Sequence, residues 1–442
     1  MKNKIFTAIL LISIPFILTA CTVSNIPVIG KYLSGGGSEG SSPAPEKPVN
    51  LTFWGVWEKP NVMDSVFSKY KIDKSNVTVS YDDRSVLGAD QYEETVVTRL
   101  KEGAAPDIVM VHNSWLPYII DYLSPAPDEI ISASDYTQKY YTIASDAAVR
   151  NNQVYAVPWY YDGLVLVYNK DHFSEIDQLT PPTAWEEFRR IALALTVKSQ
   201  DDQFVRAGAA IGTANNIDFA TDILGLMFAQ AGITIPENID SKSAQDALGF
   251  YTIFVKSDGV WDKSLPEASK AFSAGKVSMI FIPTWNLMDI VEANPNMSIG
   301  VAPVPQAVAE RPVSWGSFWM YAVPKSSSNQ KAAWELVKYL SEDQQQEYMF
   351  TKASETRPYG PPFASTTLVS RLDAYPTSVF LKPVINTAPF AKNSYFSARS
   401  GNKLEVDALK QAIDDVLAGQ DPGKALGTCK ETLTGTVPNK YS

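Results

Sequence analysis

The chain has 442 residues and a formal net charge of −10, or −12 once Lys2 and Lys4 are set aside. An acidic surface excludes the electrostatic footprint of a nucleic-acid binder and disfavours adhesion to anionic lipid. Only two histidines occur, His112 and His172, so a zinc site with several His ligands is excluded and a His-based triad has few candidates.

Met1 to Ala20 reads as an export signal: Lys2 and Lys4 precede a short apolar run from Ile5 to Leu18, too short to span a bilayer as a helix. Leu18-Thr19-Ala20-Cys21 looks like a bacterial lipobox, which predicts a lipid on the Cys21 sulfur and a tether to a membrane. Cys429 then has no partner, and no internal disulfide is expected. Residues 34–48 are rich in Gly, Ser and Pro and suit a spacer. Gly36-Gly37-Ser38-Glu39-Gly40 matches a hydrolase elbow formally, but no strand precedes it and no helix follows.

The body opens on an alternating strand, Val49 to Trp54, then an amphipathic helix from Met63 to Tyr70. A second strand, Val77 to Tyr81, a helix from Tyr92 to Glu102 and a buried strand from Asp107 to Val111 follow. This βαβα order predicts a parallel sheet whose loops at 55–58, 82–84 and 112–115 converge on the carboxyl edge, where ligands bind in such sheets. Val154 to Pro158 leads into Trp159-Tyr160-Tyr161-Asp162-Gly163 and a strand over Leu164 to Tyr168. Thr183 and Glu186 predict a capping box for the next helix. Helices near 217–231, 243–256 and 265–274 precede strands at Lys276 to Ile282, Ile299 to Pro303 and Trp315 to Val323. The remainder reads as mostly helical, with segments at about 329–350, 365–386, 402–418 and 421–435.

Five of these segments resemble, in order, the carbohydrate-binding solute receptors of ABC importers, family 1, of which the maltose-binding proteins are the type. They are Ala105 to Val111 with Asn113-Ser114-Trp115, Val157 to Gly163 continuing through Tyr168 to Asp171, Pro182 to Phe188, Ala271 to Met279, and Trp285. The resemblance covers roughly residues 49–350. It implies an α/β, two-lobed periplasmic-binding-protein-like fold, each lobe a mainly parallel sheet flanked by helices, with the ligand cleft between them. Lobe one would hold 49–161 completed by 302–345, and lobe two 162–301 completed by 346–442. It also implies an ABC permease as partner, a monomeric receptor, and neither cofactor nor metal.

A sugar presents C–H faces, which stack on aromatic rings, and hydroxyls, which pair with Asp, Asn and Arg. Ten Trp and 21 Tyr are available; most belong to the core, but Trp57, Trp115, Trp159, Tyr160, Trp285 and Trp315 fall at strand ends or crossings. Asp83, Asn113, Ser114, Asp162, Asn286 and Arg357 are the polar candidates beside them. Asn393, Tyr395 and Arg399 form a polar loop able to close over the cleft, whereas His112 reads as packing under its own loop. Three rivals stand beside a sugar receptor: a lipid-anchored glycosidase using Asp83 and Asp162, a receptor for a polyamine, phosphate ester or peptide, and a sensor or adhesin without a transporter.

Overall fold

The computed structural model describes residues 47–393 and 403–436; the predicted signal segment, Cys21, the spacer as far as residue 46, and Tyr395 and Arg399 lie outside the described residues. The described residues from Lys47 onward form one compact unit. Two sheets organise it, and helices cover them.

The first sheet has five strands in the order Val77–Asp83, Val49–Gly55, Ile108–His112, Trp319–Ala322, Ala156–Pro158. The first three are parallel, joined through helices Pro60–Asp73 and Gly88–Glu102, as the βαβα pattern predicts. Strand 319–322 runs antiparallel to both of its neighbours. Every residue of strand 108–112 is buried, which fits a central strand covered on both faces. Asp107 anchors the sheet at its base. Its carboxylate accepts from Thr52 N (2.8 Å), Thr52 Oγ1 (2.9 Å) and Ser327 Oγ (2.6 Å), tying three distant parts of the chain together.

The second sheet has three strands, Met279–Pro283, Leu164–Asn169 and Ile299–Ala302, both outer strands antiparallel to the middle one. This corrects the expected parallel sheet in the second lobe. The chain enters strand 164–169 directly from the first sheet and returns to it directly from 299–302. No βαβ unit therefore forms here to enforce parallel pairing. A parallel element does lie beside the sheet, where Ala207 bridges Val277.

Two crossings join the sheets: residues 159–163, and 303–318. They pair with each other at Gly163 and Gly316. A Cβ on Gly163 would lie 2.3 Å from the Trp315 carbonyl oxygen, so only glycine allows this approach.

Helix Asp343–Ser354 packs against helix Pro60–Asp73 of the first lobe, and Thr366 Oγ1 still bonds Lys139 O at 3.0 Å. Helix Ser378–Thr387 then packs on the second sheet. Helices Lys403–Leu417 and Pro422–Thr436 pack on each other and on helix Lys242–Lys256 of the second lobe. Helix 343–354, most of which was expected in the second lobe, therefore packs with the first. The predicted capping box also shifts. The helix begins at Trp185 with Ala184 as N-cap, and Glu187, not Glu186, accepts from Thr183 N (3.0 Å).

Among the described residues, no helix is long and apolar enough to cross a membrane, and no cluster of His, Cys, Asp and Glu could hold a metal ion.

Candidate functional site

A cleft of about 490 Å³ opens between the two sheets. From the first lobe it is walled by Trp57, just past strand 49–55, and by Trp159, Tyr160, Ser317 and Trp319 around the ends of strands 156–158 and 319–322. From the second lobe come Thr284, Trp285, Met288 and Asp289, all on helix Thr284–Ala293. Residues 357–362 close one side with Arg357, Tyr359 and Pro361. Four indoles and two phenols thus face one volume, which falls in the size range of small-molecule sites.

Trp57 and Trp285 are each 39% exposed, although large apolar side chains in this fold are mostly buried. Trp57 has φ 67°, the left-handed region that a non-glycine residue occupies only when its surroundings hold it there. Its ring meets Trp319 edge-on at 6.0 Å, and Trp285 meets Phe219 edge-on at 5.8 Å. Trp159 lines the cleft with its ring but is itself buried, and its Nε1–H is enclosed without a partner among the described residues. Asp289 is exposed on the cleft side of its helix; desolvation, and then Glu292 nearby, hold its carboxyl above the usual range.

Asp162 lines the cleft but is fully buried, and its role differs from the expected one. Oδ1 accepts from Gly163 N (2.7 Å) and Thr284 N (3.0 Å); Oδ2 accepts from Thr284 Oγ1 (2.9 Å) and Trp285 N (3.0 Å). Two bonds on each oxygen use the lone pairs of a carboxylate in full. Asp162 therefore locks the first crossing to the start of helix 284–293 and fixes Trp285. Burial nevertheless pushes its carboxyl up to about 6.

Arg357 is similarly engaged. Its guanidinium pairs with Glu58 (3.0 Å) and donates from Nε to Tyr359 O (3.1 Å) and from Nη1 to Trp57 O (3.3 Å). Glu58 is 2% exposed, and burial raises its carboxyl above the usual range although Arg357 and Lys59 oppose the shift.

Six predicted positions line the cleft: Trp57, Trp159, Tyr160, Asp162, Trp285 and Arg357. The others do not, and each has a local reason. Asn113, Ser114 and Trp115 are buried because the chain turns inward in a short 3-10 helix after strand 108–112. Asn113 Oδ1 accepts from Phe318 N (2.9 Å), and Trp115 packs edge-on beneath Trp319 at 5.1 Å. Ser114 bonds His112 Nδ1 (2.7 Å), while His112 Nε2 meets Ser317 Oγ (3.0 Å); His112 thus packs under its loop, and burial lowers its imidazole to about 3. Asp83 closes a turn on Ser85, whose Oγ accepts from Trp57 N (2.7 Å), so it supports Trp57 from behind. Trp315 is turned away by the pairing of the crossings and donates Nε1–H to Asp222 (2.8 Å). Asn286 faces a neighbouring groove, where its Oδ1 accepts from Ser269 Oγ (2.9 Å).

Sequence reading missed Trp319, Tyr359, Ser317, Met288 and Asp289. Trp319 sits inside a strand, where period and propensity read as core. Asp289 is one turn beyond Trp285, at i+4 on the same helical face, and that spacing was an available signal.

Two lobes around separate sheets, joined by paired crossings and holding an aromatic cleft between them, make up a two-lobed binding protein. The chain belongs to the bacterial extracellular solute-binding protein family, whose model matches residues 58–347. The maltotriose-binding protein of Pyrococcus abyssi is 22% identical over 308 residues, covering 65% of this chain and 62% of that one. A solute-binding protein of Thermotoga lettingae, solved with alpha-D-tagatose, superposes with a TM-score of 0.68 at 22% identity, covering 88% of this chain and 99% of that one. The cyclic alpha-maltosyl-1,6-maltose binding protein of Arthrobacter globiformis gives a TM-score of 0.70 at 18% identity, covering 89% and 100%. These likenesses establish the two-lobed α/β fold.

Proposed function

We propose that this protein captures a carbohydrate, an oligosaccharide, between its lobes by hinge closure and delivers it to an ABC importer. One observation carries the reading: four indoles and two phenols surround a single cleft that also offers an exposed carboxylate. Rings suit the C–H faces of a sugar, and Asp289 suits its hydroxyls. The sugar-binding relatives in the family favour the same ligand class. Closure follows from a ligand that touches both lobes and so favours the closed state by its differential affinity.

The ligand set of this reading is Trp57, Trp159, Tyr160, Trp285, Trp319 and Asp289. The lobes are 49–158 with 319–374, and 164–302 with 378–393 and 403–436. The protein acts as a monomeric receptor and not as an enzyme: the carboxylate pair a glycosidase would use, Asp83 and Asp162, is committed to internal hydrogen bonds. A lipid on Cys21 holds the exported chain at a membrane beside its permease.

The test is a thermal-shift and tryptophan-fluorescence screen of the chain from Lys47 onward against maltotriose, maltotetraose, mannotriose, tagatose, spermidine and a tripeptide. A saturable response to at least one sugar, recovered unaltered by chromatography, is expected. Silence with every sugar and a clear response to spermidine or the peptide overturns the ligand class; cleaved sugar overturns the receptor reading. In cells, Cys21→Ser should move the protein out of the membrane fraction.

A further inference from the structure

We infer that Arg357 and Tyr359 form a positioning clamp that sets the spacing of Trp57 and Trp285, the two half-exposed indoles of the cleft. Its consequence for affinity rests on the sugar-capture reading; its consequence for the position of Trp57 does not.

The first half of the clamp holds Trp57. A left-handed backbone at a tryptophan relaxes to an extended or helical one unless both of its peptide groups are held. Both are held here: Trp57 N donates to Ser85 Oγ at 2.7 Å, and Trp57 O accepts from Arg357 Nη1 at 3.3 Å. Arg357 is fixed in turn by buried Glu58 on Nη2 (3.0 Å) and by Tyr359 O on Nε (3.1 Å). The planar fork of a guanidinium makes these three contacts together; an ammonium cannot.

The second half holds Trp285. The Tyr359 hydroxyl, in a fully buried side chain, donates to Thr284 O at 2.6 Å, immediately before Trp285. Two residues of one segment therefore reach the backbone beside both indoles. Stacking on a sugar face needs each ring plane at a set distance from the other. Holding the rings there before the ligand arrives removes an ordering cost from binding. Neither side chain needs to touch the ligand to do this.

The test uses Arg357→Lys, which keeps a cation for Glu58, and Tyr359→Phe, which removes one oxygen. The first readout needs no ligand. Trp57 and Trp319, 6.0 Å apart at 69°, should give an exciton couplet in the circular-dichroism difference between wild type and Trp57→Ala. Arg357→Lys should abolish that couplet while leaving the helical signal intact. The second readout is calorimetric affinity for maltotriose in a double-mutant cycle. Arg357→Lys should weaken binding about tenfold in the wild-type background and less than about twofold in Trp57→Ala; Tyr359→Phe should behave the same way against Trp285→Ala. An intact couplet in Arg357→Lys overturns the clamp, as do losses that multiply in the double variants. Absence of maltotriose binding by the wild type counts against that sugar as ligand, and the couplet then decides the clamp by itself.

Discussion

Asp162→Asn separates a structural carboxylate from a ligand-binding one. The substitution keeps the shape but turns one oxygen into an amide nitrogen. Placed opposite Thr284 Oγ1 and Trp285 N, that nitrogen can donate to the hydroxyl, which accepts as well as donates, but it meets the Trp285 N–H donor to donor. One hydrogen bond to a charged acceptor is lost, roughly 1.5–3 kcal/mol. Removing the charge returns part of this at neutral pH, because burial holds the carboxyl up at about 6 even with all four bonds made. The pH trend is distinctive. The native carboxyl binds its proton at higher pH than the unfolded one, so wild-type stability rises as pH falls from about 6 toward 3.8, while the Asn variant lacks that gain. Between pH 7 and pH 5 the variant should therefore lose about 1 kcal/mol relative to wild type. Urea unfolding followed by tryptophan fluorescence at the two pH values reads the difference. A variant with wild-type midpoints at both pH values but greatly weakened sugar binding would falsify the reasoning, because Asp162 would then have been holding ligand and not helix 284–293.

Three further outcomes are expected. Trp159→Phe should weaken binding of the responding sugar about tenfold through its smaller ring face, with little change in unfolding midpoint, since the lost Nε1–H is buried without a partner; calorimetry beside a thermal melt checks it. His112 is held neutral by burial, its imidazole at about 3 against an ordinary 6.5, so its contribution is complete above pH 6.5 and lost as pH falls: about 2 kcal/mol by pH 5. Asp162 pulls the other way in that window, so the loss should be steeper in Asp162→Asn than in wild type; equal slopes in urea titrations would contradict the Asp162 assignment, and a variant whose stability does not fall between pH 7 and pH 5 would contradict that of His112. Cys429 is buried, and burial pushes its thiol up to about 12, so iodoacetamide should label it in urea and not in buffer, as intact-mass measurement will show.

The first half of the fold was legible because it is written in short-range signals. Apolar runs such as 108–111, bounded by Ala105-Pro106 and followed by a polar turn, identify a central strand, and the helices between strands dictate parallel pairing. The second sheet was not legible in the same way, since its strands pair across long separations and no local period states their direction. The helix 343–354 illustrates the same limit: its apolar face is evident, but not which lobe receives it.

The site divides along similar lines. That aromatics cluster at strand ends and crossings is a property of the sequence, and four of them, Trp57, Trp159, Tyr160 and Trp285, line the cleft. Which of them expose a face depends on backbone turns of a few residues. The inward 3-10 turn buries Trp115, and the paired crossings rotate Trp315 toward Asp222. The polar candidates depended still more on tertiary structure. A carboxylate or guanidinium at a given position can serve a ligand or the chain itself, and only the donors and acceptors brought around it from remote segments decide. For Asp162 and Arg357 those partners come from residues 284–285 and 57–58, distant in sequence and adjacent in space. Composition and local pattern therefore determine the βα order and the placing of aromatics at strand ends, while long-range pairing and hydrogen bonding determine how the two lobes enclose a cleft and which side chains remain free to use it.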